Sequence, residues 1–403
     1  PSEIVDAREP RNRLARQAGE AAIQAGRVAI VTLSAGVGSR WTQGAGVCKA
    51  LHPFCRFAGR HRSFMEVHLA KTRLTGRRFD ARIPHIFTTG YLTDVPIRQS
   101  LERHNHFGLA DDVYVSTGRS VGLRMIPMIR DLRFAWEEMP QQMLDAQQQK
   151  VRDSGRAALI EWARTEGEAS DYVDNLPLQC LHPVGHWYEV PNLLLSGTLA
   201  EVLRSQPQVE YLLLHNVDTL GANLDPELLG LHLQAGSMLS FEVIGRRLED
   251  RGGGLAKVNG QPRLVEGLAM PDEESEFRLR YYNSMTTWID IDQLLLWFGL
   301  QRQQLSHTAA VQQAVRRLAN RVPTYVTLKE VKKRWGHAQE DIFPVAQFEK
   351  LWGDMTALPG VSCQFLLTPI RRGQQLKQPA QLDGWLRDGS AAYVDSLCQW
   401  DNA

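Results

Sequence analysis

The chain predicts an α/β protein with a mixed, mostly parallel central sheet flanked by helices. Three observations carry that expectation. Strand-like and helical runs alternate over most of the 403 residues, the pattern of repeated strand, loop and helix units. Val209 to Leu214 is a continuous apolar run of the kind buried on both faces of a sheet. Val28 to Leu33 is another apolar, strand-like run, and it opens into Ser34-Ala35-Gly36-Val37-Gly38-Ser39-Arg40.

In chain order, Arg11 to Ala25 reads as a helix stopped by Gly26, Ser63 to Leu74 as a helix, and Pro84 to Thr89 as extended. Asp94 to His106 reads as a helix ending near Gly108, and Asp112 to Ser116 is extended again. From about Pro140 to Ala169 the chain is rich in Gln, Arg, Glu and Ala with sparse apolar positions, which predicts an amphipathic surface helix or helix pair. Asn192 to Ser205 is helical around Gly197. Asn259-Gly260 between two short extended runs is the strongest local signal for a hairpin with a type I′ turn. Tyr281 to Ile291, Pro323 to Leu328 and Gln364 to Leu367 are β-prone.

Composition narrows the function classes. Lys plus Arg (46) nearly balances Asp plus Glu (45), so the electrostatic footprint of a nucleic-acid binder is missing. The basic cluster Arg56, Arg60, Arg62, Lys71, Arg73, Arg77 and Arg78 reads as a solvated face. Five scattered cysteines with no C-x-x-C pair suggest neither zinc nor a disulfide framework. No apolar run is long enough to span a membrane and no signal-peptide pattern opens the sequence. The expectation is a cytoplasmic protein, and the missing initiator Met suggests processing or a piece of a longer polypeptide.

The segment Val28 to Lys49 reads as a phosphate cradle. Gly36 and Gly38 let the backbone approach a ligand and turn its amides outward, while Arg40 and Lys49 bring charge for a polyanion. It is neither of two better-known loops: a P-loop needs Gly-Lys-Ser/Thr where Gly38-Ser39-Arg40 stands, and the dinucleotide fingerprint needs a glycine where Trp41 stands. A plain strand-to-helix turn is the bland alternative. Asp218 lies just past the buried strand, at the edge where open α/β sheets bind ligands. It can hold Mg²⁺ against phosphates or merely cap the next turn.

The run Asn216-Val217-Asp218-Thr219-Leu220-Gly221-Ala222-Asn223-Leu224-Asp225 resembles the Asn-Ile-Asp-Asn-Leu-Gly-Ala element of the UDP-sugar pyrophosphorylase family, and other segments line up in order. Leu33 to Arg40 resembles the family's Leu-Ala-Gly-Gly-Leu-Gly-Thr-Arg loop, and Cys48-Lys49-Ala50 its Pro-Lys-Gly. Pro183-Val184-Gly185-His186, with Ser196-Gly197, resembles Pro-Gly-His-Gly and the following Ser-Gly. Gly253-Gly254 with Leu264-Val265-Glu266, then Tyr282-Asn283-Ser284 with Trp288, Gln347-Phe348-Glu349 and Pro369 to Lys377 continue the likeness.

The resemblance implies a Rossmann-like, GT-A-type nucleotidyltransferase fold with a small, hairpin-containing sugar-binding part. It implies UTP and a sugar-1-phosphate as partners, Mg²⁺ as cofactor on Asp218, and no nucleic acid or membrane; oligomeric state stays open. Leu33, Ser34, Ala35, Gly36, Gly38, Ser39, Phe87, Gly185, His186 and Asn216 would line the nucleotide. Arg40, Lys49 and Lys377 would carry catalysis, and Glu266 and Asn283 would bind sugar hydroxyls. His186 could equally be a satisfied core histidine and Lys377 a surface lysine.

Departures fall inside the motifs: Ala35 replaces the first glycine of the pair, Trp187 the glycine after His186, and Met285 a sugar-contacting Asn. The uracil-contacting Gln has no counterpart near Ser116-Thr117-Gly118. These predict an altered pocket and leave a nucleotide-sugar-binding relative without turnover as an alternative. A sugar transferase using Asp290-Ile291-Asp292 is a further one, disfavoured because that pair reads as structural. The expected layout is a catalytic domain over 1–385 with a helical insertion at 128–180, a tail at 386–403, and no β-helix domain.

Overall fold

The computed structural model describes residues 4–9, 12–42, 47–109, 111–127, 137–138, 178–336 and 339–400. Its centre is a ten-stranded sheet in which the strands run in the order Val5–Asp6, Cys363–Leu367, Leu239–Gly245, Tyr281–Asp290, Tyr211–Asn216, Val28–Leu33, His85–Thr89 and Val113–Thr117. Tyr281–Asp290 runs antiparallel to both neighbours, and the other pairs along this path are parallel. The hairpin Gly254–Val258 and Gln261–Val265 attaches to the start of Tyr281–Asp290. The expected mixed, mostly parallel α/β fold is therefore the one found.

Strand geometry sends successive side chains to opposite faces, and both faces are covered. Ala29, Val31, Leu33, Leu212 and Leu214 enter one core together with Leu193, Leu199, Leu294 and Val315 from the helices of that layer. Val28, Ile30 and Leu213 enter another with Ala22, Ile23, Leu228 and Leu229 from the helices Arg13–Gln24 and Pro226–Ala235. This double coverage explains why the central strands read as unbroken apolar runs.

The local signals work as chemistry requires. Asn12 caps the first helix by accepting from the Ala15 amide at 2.9 Å, and Ser63 and Glu66 form a capping box at Phe64–Phe79. Asn259 (φ 51°) and Gly260 (φ 82°) both lie in the left-handed region that a type I′ turn demands. Asp290 caps the helix Ile291–Phe298 through the Gln293 amide, and Asp292 pairs with Arg302 at 2.6 Å. That acidic pair is structural, as expected.

Other expectations need correction. The short strand at Pro323 to Leu328 is the start of Tyr325–Gly336, which pairs with Gln339–Glu349 in a second, four-stranded sheet. Most of the proposed helical insertion lies outside the described residues; within it, Glu137–Glu138 is extended and joins that second sheet. The boundary drawn at 385 cuts the helix Gln381–Arg387, and Ser390–Ser396 is helical too. Trp385 and Val394 are buried and Trp400 stacks on Phe57 at 5.2 Å, so 386–400 is packed structure instead of a tail. The basic cluster is only half solvated: Arg56, Arg60, Arg77 and Arg78 are exposed, while Arg62, Lys71 and Arg73 are buried. No helix among the described residues is long and apolar enough to cross a membrane.

Candidate functional site

Val28–Leu33 and Tyr211–Asn216 lie side by side in parallel, with Leu33 opposite Asn216, so the glycine loop and the Asp218 turn leave the same rim of the sheet. The chain builds outward from this pair in both directions, the topological switch where open α/β sheets form a crevice. The loop is pinned at its start. Ser34 donates its hydroxyl to the Thr88 carbonyl at 2.6 Å, its amide meets the Thr88 hydroxyl at 3.1 Å, and Thr93 donates to the Ala35 carbonyl at 3.1 Å. At Gly38 (φ 76°) a side chain would collide with Lys49, its Cβ standing 2.5 Å from that of the lysine. The glycine is what lets Lys49 lie back against the loop, a return fixed by the Lys49 amide on the Val37 carbonyl at 2.9 Å.

Lys49 then bridges to the neighbouring strand's turn. Its buried ammonium donates to Asp218 Oδ2 at 2.8 Å and to the Leu376 carbonyl. The Leu376 amide returns a bond to the Asp218 carbonyl at 3.2 Å, which brings Lys377 alongside. Lys377 donates to the Tyr282 hydroxyl at 2.7 Å and the Arg251 carbonyl at 3.2 Å. Burial pulls the Lys49 ammonium below its usual range; Asp218 opposes this, and the positive charges of Lys377 and Arg40 add to it. Arg40 itself is exposed at the loop's outer end. Asp218 and the three expected cations thus share one electrostatic neighbourhood.

Beneath them the turn is packed without slack. A methyl group on Gly221 would sit 2.0 Å from the Arg371 carbonyl oxygen, so the turn and the 369–377 segment cross backbone to backbone. Arg372 forks onto Glu242 at 2.6 and 2.8 Å and also donates to the Asn223 carbonyl at 2.8 Å, while Trp288 donates to the same carboxylate at 2.9 Å. Asp218 Oδ1 is buried and has no hydrogen-bond partner. A carboxylate oxygen left in that condition fits a cation, and Mg²⁺ requires only one or two protein carboxylates. No group of three or more His, Cys, Asp or Glu side chains among the described residues offers a rival metal site.

His186 accepts from the Trp352 amide through Nδ1 at 2.9 Å, which leaves its proton on Nε2. Burial, with Lys377 acting in the same sense, pushes it down to about 4, so it is neutral at physiological pH. Trp187, which replaces a glycine of the family motif, turns into the core: it is fully buried, with its indole N–H 3.2 Å from Met355 sulfur. That departure does not narrow the crevice.

On the far side of Lys377, Glu266 is buried at the end of the hairpin and accepts from the Gly353 amide at 2.9 Å. Burial first, then the neighbouring Asp354, lifts it to about 7, with Gly353 and Lys377 opposing. Asn283 spends its side-chain oxygen on the Met285 amide at 2.9 Å. Met285 has φ 61°, a left-handed conformation at a bulge where Tyr281–Asp290 breaks register with Leu239–Gly245. Asn tolerates that conformation far better than Met does.

Two expected nucleotide contacts do not survive as side chains. Phe87 is fully buried and stacked on His85 at 4.5 Å in the core, and Leu33 is buried likewise. Strand alternation sends them inward, leaving only their backbone near the rim. Residues that sequence reasoning missed include Glu189, which accepts from the Thr88 hydroxyl and from the Ala35 amide. Burial raises it to about 7, those two hydrogen bonds opposing. The Ala35 amide is therefore engaged within the protein. Nothing local marks Glu189, because its partners come from two other strands' ends.

Residues 171–324 match a family model described as UTP--glucose-1-phosphate uridylyltransferase. Enzymes of the same description match in sequence: that of Pyrus pyrifolia is 32% identical over 117 residues and that of Saccharomyces cerevisiae 31% over 121, each match covering 28% of this chain and 24% of the relative. The chain thus spans about a quarter of the length of these relatives. Among solved structures, UDP-glucose phosphorylase of Trypanosoma brucei superposes with a TM-score of 0.56 at 17% identity, over 93% of this chain and 65% of that one. UDP-N-acetylglucosamine pyrophosphorylase of the same organism, in complex with inhibitor, gives 0.57 at 14%, over 93% and 67%. At such identities these superpositions speak for the fold.

Proposed function

We propose that this chain, whose residues 171–324 match the UTP--glucose-1-phosphate uridylyltransferase family model, is a uridylyltransferase that joins UTP to a sugar-1-phosphate and releases pyrophosphate. The observation that carries the reading is Lys49, which reaches from the glycine loop to the Asp218 carboxylate and the Leu376 carbonyl, with Lys377 next in the chain. A loop for polyphosphate, an acid for a divalent ion and a lysine for a second phosphate meet in one crevice.

A phosphate oxygen of the sugar-1-phosphate attacks the α-phosphorus of UTP. The bond from that phosphorus to the bridging oxygen of the β-phosphate breaks, and its electron pair leaves with pyrophosphate. No proton need move, since the nucleophile is already anionic, so the protein's work is alignment and charge compensation. The amides between Gly36 and Gly38 face the triphosphate, Arg40 offers its planar fork to the departing phosphates, and Lys49 offsets the charge that develops there. Lys377 holds the sugar phosphate in line with the α-phosphorus. Mg²⁺ on Asp218 would supply charge neutralisation at the phosphate oxygens. His186 and Asn216 border the nucleotide, and Glu266 and Asn283 face the sugar hydroxyls. The five free thiols support a reducing, cytoplasmic setting.

The engaged Ala35 amide and the strained Met285 favour one alternative, a domain that binds a nucleotide sugar without turning it over. Pyrophosphate release from UTP with Mg²⁺ and a panel of sugar-1-phosphates separates the two. Release with at least one sugar supports the transferase. No release, together with thermal stabilisation by a UDP-sugar, replaces it with the binding domain.

A further inference from the structure

Lys71 is a buried lysine with no carboxylate beside it, and burial pulls its amine down to about 7. It lies on the helix Phe64–Phe79 at 4% exposure, and its ammonium donates to the Leu220 carbonyl at 2.7 Å and to the Ala222 carbonyl. No carboxylate pairs with it among the described residues. A buried ammonium costs several kcal/mol in desolvation, on the order of what ion-sized groups lose in protein interiors. An apolar side chain would avoid that cost but leave both carbonyls without a donor, so the lysine is kept for what it holds in place.

Its partners say what. Leu220 and Ala222 belong to the turn that presents Asp218. One helical turn before Lys71, on the same helix face, His68 donates Nε2–H to the Val217 carbonyl at 2.8 Å. From the opposite side the Leu376 amide takes the Asp218 carbonyl, Gln375 reaches the Thr219 hydroxyl at 3.3 Å, and Arg372 takes the Asn223 carbonyl. The carbonyls flanking Asp218 are thus held from below by the helix and from above by the segment that carries Lys377. Lys71 alone holds two of them.

We propose that Lys71 is a positioning residue for the metal-binding carboxylate: by gripping the Leu220 and Ala222 carbonyls it fixes the orientation in which Asp218 meets the divalent ion of a metal–nucleotide complex. This rests on the proposed function, since it presumes that Asp218 binds the ion. Outer-shell groups of this kind change metal affinity by about ten- to a hundredfold when removed. The carbonyls need donors at that spot, and Lys71 is long enough to span both from a single nitrogen.

The test uses the full chain with Mn²⁺ and UTP, reading water-proton relaxation enhancement for binding, and the Mg²⁺ dependence of pyrophosphate release for turnover. Lys71→Met should raise both the Mn²⁺–UTP dissociation constant and the half-saturating Mg²⁺ by about tenfold, with the KM for sugar-1-phosphate unchanged. Lys71→Gln, whose shorter amide keeps two N–H donors, should recover only part of this and leave both constants about threefold above the parent. Thr75→Val, which removes only a hydroxyl bonded within the same helix, should lower the melting temperature and leave both metal constants alone. Parental metal constants in Lys71→Met would overturn the proposal, whatever its stability. Should Lys71→Met fail to fold, Lys71→Gln decides: a measurable rise in the metal constants at parental melting temperature supports the clamp, and no rise overturns it. A parent that binds no Mn²⁺–UTP overturns the proposed function itself; a binding parent with an indistinguishable variant overturns only the role of Lys71.

Discussion

On one side of the crevice, around the glycine loop and the Asp218 turn, cations are buried against main-chain carbonyls: Lys49 on Leu376, Lys71 on Leu220 and Ala222, Arg372 on Asn223. On the other, around the hairpin and the Tyr281–Asp290 strand, a buried cation also meets carbonyls, Arg246 on Gly252 and Gly253, but here two buried carboxyls act on each other as well. There Glu266 is lifted to about 7 and Asp354, by burial, to about 6, and the backbone departs from relaxed geometry at Met285. The first side would hold phosphates, which are the same in every substrate of such a reaction. The second would hold a sugar, which is not. A turn held at its carbonyls suits the constant part of the chemistry, and a coupled pair of carboxyls with a strained bulge suits the variable part.

The largest expected effect tests the rigidity of the first side. Arg372→Met leaves Glu242 charged, completely buried and without its ion pair, and should cost about 3–5 kcal/mol of stability by denaturant titration. A loss under 1 kcal/mol would mean that the network under the turn is incidental. Next, Asp218→Ala should lower kcat by at least about a hundredfold while circular dichroism stays parental. Activity within a few-fold of the parent would remove Asp218 from the chemistry and dissolve the distinction between the two sides.

The second side should instead respond to pH. Glu266 has a folded-state pKa of about 7 against an ordinary 4.5, so the folded protein holds this proton more tightly than the unfolded chain. Its contribution to stability is present below pH 4.5 and is lost as pH rises to about 7. Glu266→Gln should therefore match the parent's melting temperature near pH 4.5 and exceed it at pH 8. In the parent, KM for the sugar-1-phosphate should fall roughly five- to tenfold between pH 6 and pH 8 as the acceptor carboxylate forms, a dependence that Glu266→Gln should flatten. A variant with the parent's pH profile would place the titration elsewhere.

The smallest effect concerns the bulge. Met285→Gly gives up about 1.5–3 kcal/mol of side-chain burial but relieves about 1–2 kcal/mol of left-handed strain, so the net destabilisation should be about 1 kcal/mol. A loss of the full burial value would show that the conformation at 285 carries no strain.

How much of this was legible differs between the same two regions. The glycine loop, the buried strand ahead of Asp218 and the Asn259-Gly260 turn were readable because each is specified by residues next to one another in sequence. The direction of Trp187 was not: a tryptophan beside His186 can face pocket or core, and only the position of Met355 decides it. Lys71 was read as part of a solvated basic face because a lysine's burial depends on the carbonyls it finds, and those come from a turn far along the chain. Leu239–Gly245, a central strand, was not recognised, since its Ser240 and Glu242 interrupt the apolar run and are satisfied only through His232, Gln364, Arg372 and Trp288. Phe87 was expected to line the nucleotide with no local pattern of its own behind it, and alternation along its strand sends it to the core.

The crossing at Gly221 limits how this molecule can move. With no room for a methyl group between position 221 and the main chain at 371, the acid at 218 and the lysine at 377 travel as one body and no hinge can be set between them. Gly36, by contrast, has open space around it, so the loop has room to adjust where the turn at 221 has none. Amide hydrogen exchange should then slow on nucleotide binding near position 36 and stay unchanged, already slow, from 217 to 223.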